Sequence, residues 1–199
     1  MSMVLAFNKW STDEINVGDP GLKRYINLEP RIVPRSGAKH AGNRFHKSRM
    51  FIVERLMNKV MIPGHKGKKH HKSSGHICGK SSVVYDAVKK ALEIVEQKTG
   101  QNPVAVLSKA IENAAPREEI VSIEYGGARY PKAVDCAPQR RVDIVLRYFS
   151  QGAYDRSFNR KVSIEKAIAD EIIAAYNFDP KSLAISKKNE LERQCDSSR

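Results

Sequence analysis

The chain has 199 residues, of which 41% are hydrophobic, and this is enough for one domain with its own core. It contains no apolar run long enough for a membrane span and no pattern typical of a secretion signal. Its three cysteines lie far apart and outside any C-x-x-C pair, which excludes a disulfide framework and a zinc ribbon and favours a reducing, intracellular setting. The 35 lysines and arginines against 22 aspartates and glutamates give a net charge of +13, which favours a polyanionic partner over a cationic surface kept only for solubility.

The positive charge is concentrated in one segment. Residues 1–30, which we expect to form an amino-terminal extension, have a net charge of −1, and residues 81–199 have a net charge of +2. Residues 31–80 contain thirteen basic residues and one acidic residue, a net charge of +12, and hold all six histidines. Within them, residues 62–80 offer too few apolar side chains for a core segment and predict an exposed basic loop. Phosphates are the natural counter-charge for such a segment.

Hydrophobic periodicity predicts six helices, each with an apolar stripe of period 3.6 and each bounded by capping or helix-breaking residues. In chain order they run over 47–61, ended by Pro63-Gly64; from Ser81 or Ser82 to Thr99-Gly100; from Asn102-Pro103 to Pro116; from Pro138 to about Gly152; from Ser163 onward; and from Asp179-Pro180 towards the carboxyl terminus.

Between the third and fourth helices the apolar period changes from 3.6 to 2. Residues 120–125 and 128–136 alternate as strands do, and Gly126-Gly127 can take the positive φ angles of a hairpin turn. Pro131 restricts the return strand to a sheet edge. A two-stranded ribbon is marginal in water by itself, so we expect its outer end to meet a partner. The fold class is therefore predicted as mainly α, a bundle of about six helices with one projecting two-stranded β-ribbon.

No motif for catalysis, nucleotide binding or metal binding is complete. The stretch from Gly75 to Ser81 is similar to a phosphate-binding P-loop, but it is one residue too short and follows a lysine-rich loop instead of a strand. Cys78 and the histidines between residues 65 and 76 lack the paired turns that hold zinc, and we expect these histidines to face phosphate. We predict no enzyme, no cofactor and no metal site.

Arg140 and Arg141 stand out at the start of the fourth helix, where basic residues oppose the helix dipole. The sequence allows two interpretations of this pair. The pair is either solvated or a clamp for phosphate.

Several long motifs occur in an order that resembles one protein family. They are T-G-Q-N-P over 99–103, P-R-E over 116–118, G-G at 126–127, P-Q-R-R-V over 138–142, A-D-E-I-I-A-A over 169–175 and A-I-S-K-K-N-E-L-E-R over 184–193. Over about residues 22–199 the chain resembles the seventh protein of the small ribosomal subunit, in the archaeal and eukaryotic branch of that family.

The resemblance implies a helical bundle with a projecting ribbon, and it also implies a function. Members of the family bind the three-prime major domain of small-subunit ribosomal RNA, nucleate assembly of the subunit head and hold the ribbon near the exit-site tRNA and messenger RNA. Neighbouring ribosomal proteins are further expected partners, on cytoplasmic ribosomes and without a membrane. Residues 31–199 are then expected to form a single helical RNA-binding domain with a basic loop at 62–80 and a β-ribbon at 120–136.

The candidate RNA-binding residues combine the basic segment with positions that the resemblance implies. They are Arg31, Arg35, Lys39, His40, Arg44, Lys47, Arg49, Lys66, Lys68, Lys69, Lys72, Lys80, Arg140, Arg141, Lys187 and Lys188, and the ribbon tip is Gly126, Gly127, Arg129 and Tyr130. Bacterial members have a short connection in place of residues 62–79, and residues 1–21 match no part of the family, so RNA contacts in those two segments rest on charge alone.

A free-standing basic protein that binds DNA or chromatin is the alternative function. It would use the same positive segment, because contacts to phosphate carry little sequence information. A preference for a folded RNA junction over duplex DNA separates the two functions.

Overall fold

The computed structural model describes residues 4–64 and 77–199. Its elements are α1 (Pro20–Lys23), a 3-10 turn (His46–Arg49), α2 (Ile52–Val60), α3 (Ser81–Thr99), α4 (Pro103–Ala114), β1 (Glu118–Tyr125), β2 (Ala128–Asp135), α5 (Pro138–Ser157), α6 (Ile164–Tyr176) and α7 (Leu183–Asp196). The predicted fold class, a mainly α bundle with a two-stranded ribbon, is confirmed. None of the described helices has the length and apolar character needed to cross a membrane.

Capping residues begin and end several helices where the sequence predicts. The Asn102 side chain accepts a hydrogen bond from the Val104 N–H at 3.0 Å, and Pro103 occupies the first turn of α4. Gly100, with φ of +65°, ends α3 in the left-handed conformation. Ser163 caps α6 by accepting a hydrogen bond from the Lys166 N–H at 3.4 Å.

The helix predicted over 47–61 begins only at Ile52. Residues 46–49 form a 3-10 turn, and Met50 and Phe51 are extended, because this stretch meets the amino-terminal segment. There the Ile52 N–H donates to the Asn27 carbonyl at 2.9 Å in a bridge between the two segments. The pairing partner lies 25 residues earlier, beyond the reach of a periodicity argument.

The hydrophobic core is centred on α6, which contacts α3, α4, α5 and α7. Its Ile168 and Ile172 are fully buried, together with Leu92 on α3, Leu107 on α4 and Phe149 on α5. This core is the apolar stripe of each predicted helix, brought together by packing.

Part of the segment expected as an amino-terminal extension also lies in this core. Ala6, Phe7, Trp10, Leu22 and Ile26 are all buried. The Phe7 ring lies 5.7 Å from that of Trp10 and 5.3 Å from that of Tyr85 on α3, measured between centroids. The residues before position 30 therefore contribute to the packing of the bundle.

The ribbon consists of β1 and β2, paired antiparallel with Ile123 opposite Tyr130 and Ser122 opposite Pro131. It spans 118–135, compared with the predicted 120–136. Gly126 and Gly127 both have positive φ, +57° and +81°, as a tight hairpin turn requires. The base of the ribbon packs against α7, while its outer half is exposed, and in the described part of the chain no third strand joins it.

Gly152 lies inside α5, so the predicted end of that helix at Gly152 is wrong. A Cβ atom at this position would lie 2.2 Å from Oε1 of Glu171 on α6 and 3.0 Å from Cβ of Leu183 on α7. The buried Glu171 carboxylate accepts the Leu183 N–H at 3.2 Å and thereby caps the start of α7. Glycine is required here because three helices approach closely.

The helix predicted from Asp179-Pro180 begins later, at Leu183. Residues 179–182 form a turn, in which the Ser182 N–H donates to the Asp179 carbonyl.

We expect Gly152→Ala to lower the free energy of unfolding by about 1–3 kcal/mol, since the added methyl must displace a buried, tethered carboxylate. Gly42→Ala is the matched control, because nothing lies within 4 Å of the Cβ position there, and its effect should stay within about 0.5 kcal/mol. Urea unfolding of both variants measures the difference. Equal stability of the two variants would show that α5, α6 and α7 can separate without cost.

Candidate nucleic-acid interface

The basic segment before α2 presents several cations that form no ion pair within the described part of the chain. Arg35, Lys39 and Arg44 are exposed, as is Lys80 directly before α3, and none of the four forms an ion pair with a residue of 4–64 or 77–199. Arg44 lies over the exposed Phe45 ring, 5.1 Å from its centroid. Uncompensated cations beside an exposed aromatic ring suit a partner that carries both phosphates and bases.

Lys47 belongs to a different arrangement, in which two cations contact one carboxylate on α5 and two more lie near by. Lys47 Nζ lies 2.9 Å from Asp143 Oδ2, and Arg55 donates to Asp143 Oδ1 at 3.2 Å. Lys59 and Arg147 lie near enough for their charges to act on the same site. We call Asp143, Lys47, Arg55, Lys59 and Arg147 the Asp143 cluster, and its formal charge is +3.

The titration of the Asp143 cluster reflects this excess of positive charge. Burial raises the pKa of the Asp143 carboxyl, but the hydrogen bond from Lys47 and the charge of Arg55 outweigh it and hold the pKa below its ordinary value. Burial lowers the pKa of Lys59, and the like charges of Lys47 and Arg147 lower it further, against the opposing effect of Asp143. A phosphate placed beside Lys59 would relieve this repulsion.

The sequence does not assign Arg55, Lys59 and Arg147 to the interface. Arg55 and Lys59 belong to the basic segment, and they are four residues apart on one face of α2. Arg147 stands four residues after Asp143 on α5. Only the packing of α2 against α5 brings the two faces together, so no local signal could have identified the cluster.

Arg140 and Arg141 point to different partners. Arg140 Nε lies 2.6 Å from Glu119 Oε2 at the base of the ribbon, and its side chain remains 54% exposed. Arg141 is 11% exposed and donates to the Pro116 carbonyl and to Asp19 Oδ2, both at 2.9 Å. Each arginine is therefore ion-paired within the fold. Arg141 connects the amino-terminal segment, the end of α4 and the start of α5.

Lys187 and Lys188 on α7 also differ from each other. Lys187 pairs with Glu190 at 2.5 Å and remains 43% exposed, as surface ion pairs do. Lys188 Nζ donates to the Asn113 carbonyl at 2.8 Å and lies near Arg141.

His40 and Arg49, two more of the predicted RNA-binding residues, line a separate shallow cleft together with Lys23 and Arg24. Arg31 pairs with Glu29 at 3.1 Å in an exposed position.

The ribbon tip has a different character from the bundle. Residues 118–135 hold four acidic and two basic residues, a net charge of −2, and Arg129 lies 3.6 Å from Glu124. Because paired residues share a face, Tyr125, Ile123 and Tyr130 form one exposed apolar surface around the Gly126-Gly127 turn. This surface suits stacking or packing rather than the neutralisation of phosphate.

Part of the predicted interface falls on residues outside the described ranges. Lys66, Lys68, Lys69 and Lys72 belong to it, as do the histidines between 65 and 76 that could be considered as zinc ligands. Within residues 4–64 and 77–199, no group of three or more His, Cys, Asp or Glu side chains could hold a metal ion. Burial and then the charge of Glu119 raise the pKa of the Cys136 thiol to about 11, so this thiol is not an activated nucleophile.

Comparison with known proteins agrees with the resemblance found in the sequence. The family model described as ribosomal protein S7p/S5e matches residues 22–199. A curated relative, the small ribosomal subunit protein uS7 of the archaeon Nanoarchaeum equitans (strain Kin4-M), is 51% identical over 193 residues, which cover 97% of this chain and 98% of the relative.

We expect Asp143→Asn to lower the free energy of unfolding by about 3–5 kcal/mol at pH 7, because Arg55, whose side chain is 3% exposed, would lose its counter-charge. The folded pKa of Asp143 lies below the unfolded value of about 3.9, so its contribution is fully present above about pH 4 and is lost as the pH falls through the folded pKa. The difference between wild type and variant should therefore shrink in acid.

Asp170→Asn provides the control for this prediction. Its partner Lys98 and the carboxylate are 45% and 34% exposed, so the loss should stay below about 1 kcal/mol. Denaturation at several pH values measures both variants. A pH-independent difference for Asp143→Asn would contradict the ion-pair explanation.

Proposed function

The chain belongs to the ribosomal protein S7p/S5e family, and on that premise we propose that it binds the three-prime major domain of small-subunit ribosomal RNA and nucleates assembly of the subunit head. It is a structural, non-enzymatic protein of the small ribosomal subunit, and as such it binds ribosomal RNA and other ribosomal proteins. The proposal further places the β-ribbon near the exit-site tRNA and messenger RNA, on cytoplasmic ribosomes.

The observation that carries the RNA-binding proposal is the uncompensated positive charge around α2. The Asp143 cluster retains a formal charge of +3 after its internal ion pairs, and Arg35, Lys39 and Arg44 form no ion pair with the described residues of the preceding segment or the bundle. Phosphate contacts of this kind supply much of the affinity of nucleic-acid-binding proteins and set its salt dependence. We accordingly assign RNA binding to residues 31–199, with residues 1–30 as an extension that completes the core.

The character of the ribbon supports a second role for it. Its net charge of −2 makes it a poor element for binding duplex phosphates, whereas its exposed face with Tyr125 and Tyr130 can stack on bases or pack against a neighbour. We expect this combination of negative charge and exposed tyrosines in a ribbon that contacts passing tRNA or messenger RNA and adds little to the affinity for ribosomal RNA. The alternative of a free-standing protein that binds DNA or chromatin has only the net charge in its favour.

We expect the double variant Lys59→Gln and Arg147→Gln to reduce the slope of log affinity against log salt for the three-prime major domain RNA by about 0.7–0.9 for each phosphate that the variant no longer neutralises. The control is Lys166→Gln with Lys181→Gln, which removes the same charge from exposed positions on α6 and the turn after it. Filter binding from low to high salt gives the slopes. Equal slopes for the two double variants would remove the Asp143 cluster from the interface.

We expect Tyr125→Ala with Tyr130→Ala to leave the thermal midpoint and the RNA affinity unchanged but to weaken retention of exit-site tRNA in assembled ribosomes. Both side chains are exposed, 81% and 58%, and add little to the fold. The control, Glu124→Gln with Arg129→Gln, alters the opposite face of the same ribbon. If the tyrosine variant instead blocks subunit assembly, and the particles that do form retain tRNA normally, the ribbon acts in assembly alone.

A further inference from the structure

A cleft of about 690 Å³ lies where α4, α5 and α7 meet, on a part of the bundle that the ribbon and the Asp143 cluster do not form. Its walls carry Lys109, Arg117, Arg141 and Lys188, together with the exposed ring of Phe178 from the turn between α6 and α7. We call it the Arg117 cleft. Its volume is within the usual range for sites that hold a small ligand.

The cations of the Arg117 cleft exceed its anions. Lys109 pairs with Glu112 at 2.9 Å and Arg141 pairs with Asp19 at 2.9 Å. Arg117 is exposed and forms no side-chain hydrogen bond or ion pair with any residue of 4–64 or 77–199. The side chains that line the cleft thus include two acidic and four basic ones, a net charge of +2, or +1 when Glu192 beside Lys188 is counted.

Lys188 is held in place in spite of this repulsion. Its Nζ donates to the Asn113 carbonyl at 2.8 Å, and the Glu192 carboxylate is 4.0 Å away. Burial lowers the pKa of Lys188, and the charges of Arg117 and Arg141 lower it further against the effect of Glu192. An anion bound between Arg117 and Lys188 would stabilise both cations.

Phe178 occupies a position that favours glycine. The Phe178 N–H donates to the Ala175 carbonyl at 3.2 Å, and the Asp179 N–H donates to the Ala174 carbonyl at 2.8 Å. These two bonds form a Schellman motif at the end of α6, in which Phe178 has the left-handed φ of +56°. This conformation is unfavourable for a bulky side chain, and 58% exposure means that burial compensates only in part. The aromatic ring at this site therefore points to a role outside the fold.

We propose that the Arg117 cleft binds one unpaired nucleotide of RNA, with its base stacked on Phe178 and its phosphate between Arg117 and Lys188. This inference rests on the proposed RNA-binding function. Unpaired bases stack readily on aromatic side chains, while neighbouring cations hold the backbone. An acidic protein segment would neutralise the cations, but it would not explain why an exposed phenylalanine occupies a strained backbone conformation beside them.

The test uses the full chain with two probes of equal charge, hexauridylate and a hexamer of the same backbone with abasic riboses. Phe178→Gly should weaken binding of hexauridylate about tenfold through the lost stacking and leave binding of the abasic hexamer unchanged. The same variant should raise the thermal midpoint, because glycine adopts the left-handed conformation without strain. Phe178→Trp should restore the affinity. Arg117→Gln should weaken both probes and reduce the salt slope by about 0.7.

Three results would overturn the inference. The first is unchanged binding of hexauridylate by Phe178→Gly. The second is an equal loss for both probes with a lower thermal midpoint, which would assign Phe178 a structural role. The third is a hexaglutamate peptide that binds in an Arg117-dependent way and more tightly than hexauridylate, which would make the cleft a site for an acidic protein segment.

Binding of the folded three-prime major domain RNA by wild-type protein is measured in parallel. If that RNA is not bound while the hexamer results hold, the proposed assembly function fails and the nucleotide site stands. If the domain is bound but Phe178→Gly makes no difference with either RNA, the nucleotide site fails and the proposed function stands.

Discussion

The position of the basic segment in the fold depends on the ion pairs of the Asp143 carboxylate. Asp143 lies on α5 and forms ion pairs with Lys47 of the 3-10 turn and with Arg55 of α2. Arg55 also donates a hydrogen bond to the Tyr25 carbonyl at 2.7 Å. One anion thus connects the amino-terminal segment, the basic segment and the bundle. A buried arginine is tolerated only with such a partner, because an unpaired charge in the interior costs several kcal/mol.

The cations of the described residues fall into two groups, according to whether an acidic side chain of the fold pairs with them. Arg55, Arg141 and Arg140 are bound by Asp143, Asp19 and Glu119 and hold separate parts of the fold together. Others, such as Arg35, Lys39, Arg117 and the partly paired Lys188, keep charge that the described part of the fold does not neutralise. Folding therefore uses only part of the positive charge of the described residues in internal ion pairs. Among residues 4–64 and 77–199, the cations without an internal ion pair lie on more than one side of the bundle, since Arg35 and Arg117 line separate clefts.

The bundle and the ribbon rely on different physical effects. The bundle has a continuous apolar core around α6 and an outer surface rich in cations. The ribbon has no core, a net negative charge and an exposed face of tyrosine and aliphatic side chains. The surface of the bundle is therefore suited to an anionic partner, whereas the surface of the ribbon tip is suited to stacking or apolar contact.

The sequence by itself determined the helices, the hairpin and the concentration of charge, because periodicity, capping residues and composition are local properties of a chain. Asn102-Pro103, Gly100 and Gly126-Gly127 all act where their local chemistry predicts. Tertiary structure alone decided that Gly152 is a contact point between helices, that residues near 50 pair with Asn27, and that Lys59, Arg147 and Asp143 share one site. It also decided that Arg141 is bound within the fold and that Arg117 and Lys188 face one cleft with Phe178. These outcomes depend on which surfaces of distant segments pack together, and the packing of a whole core determines that choice.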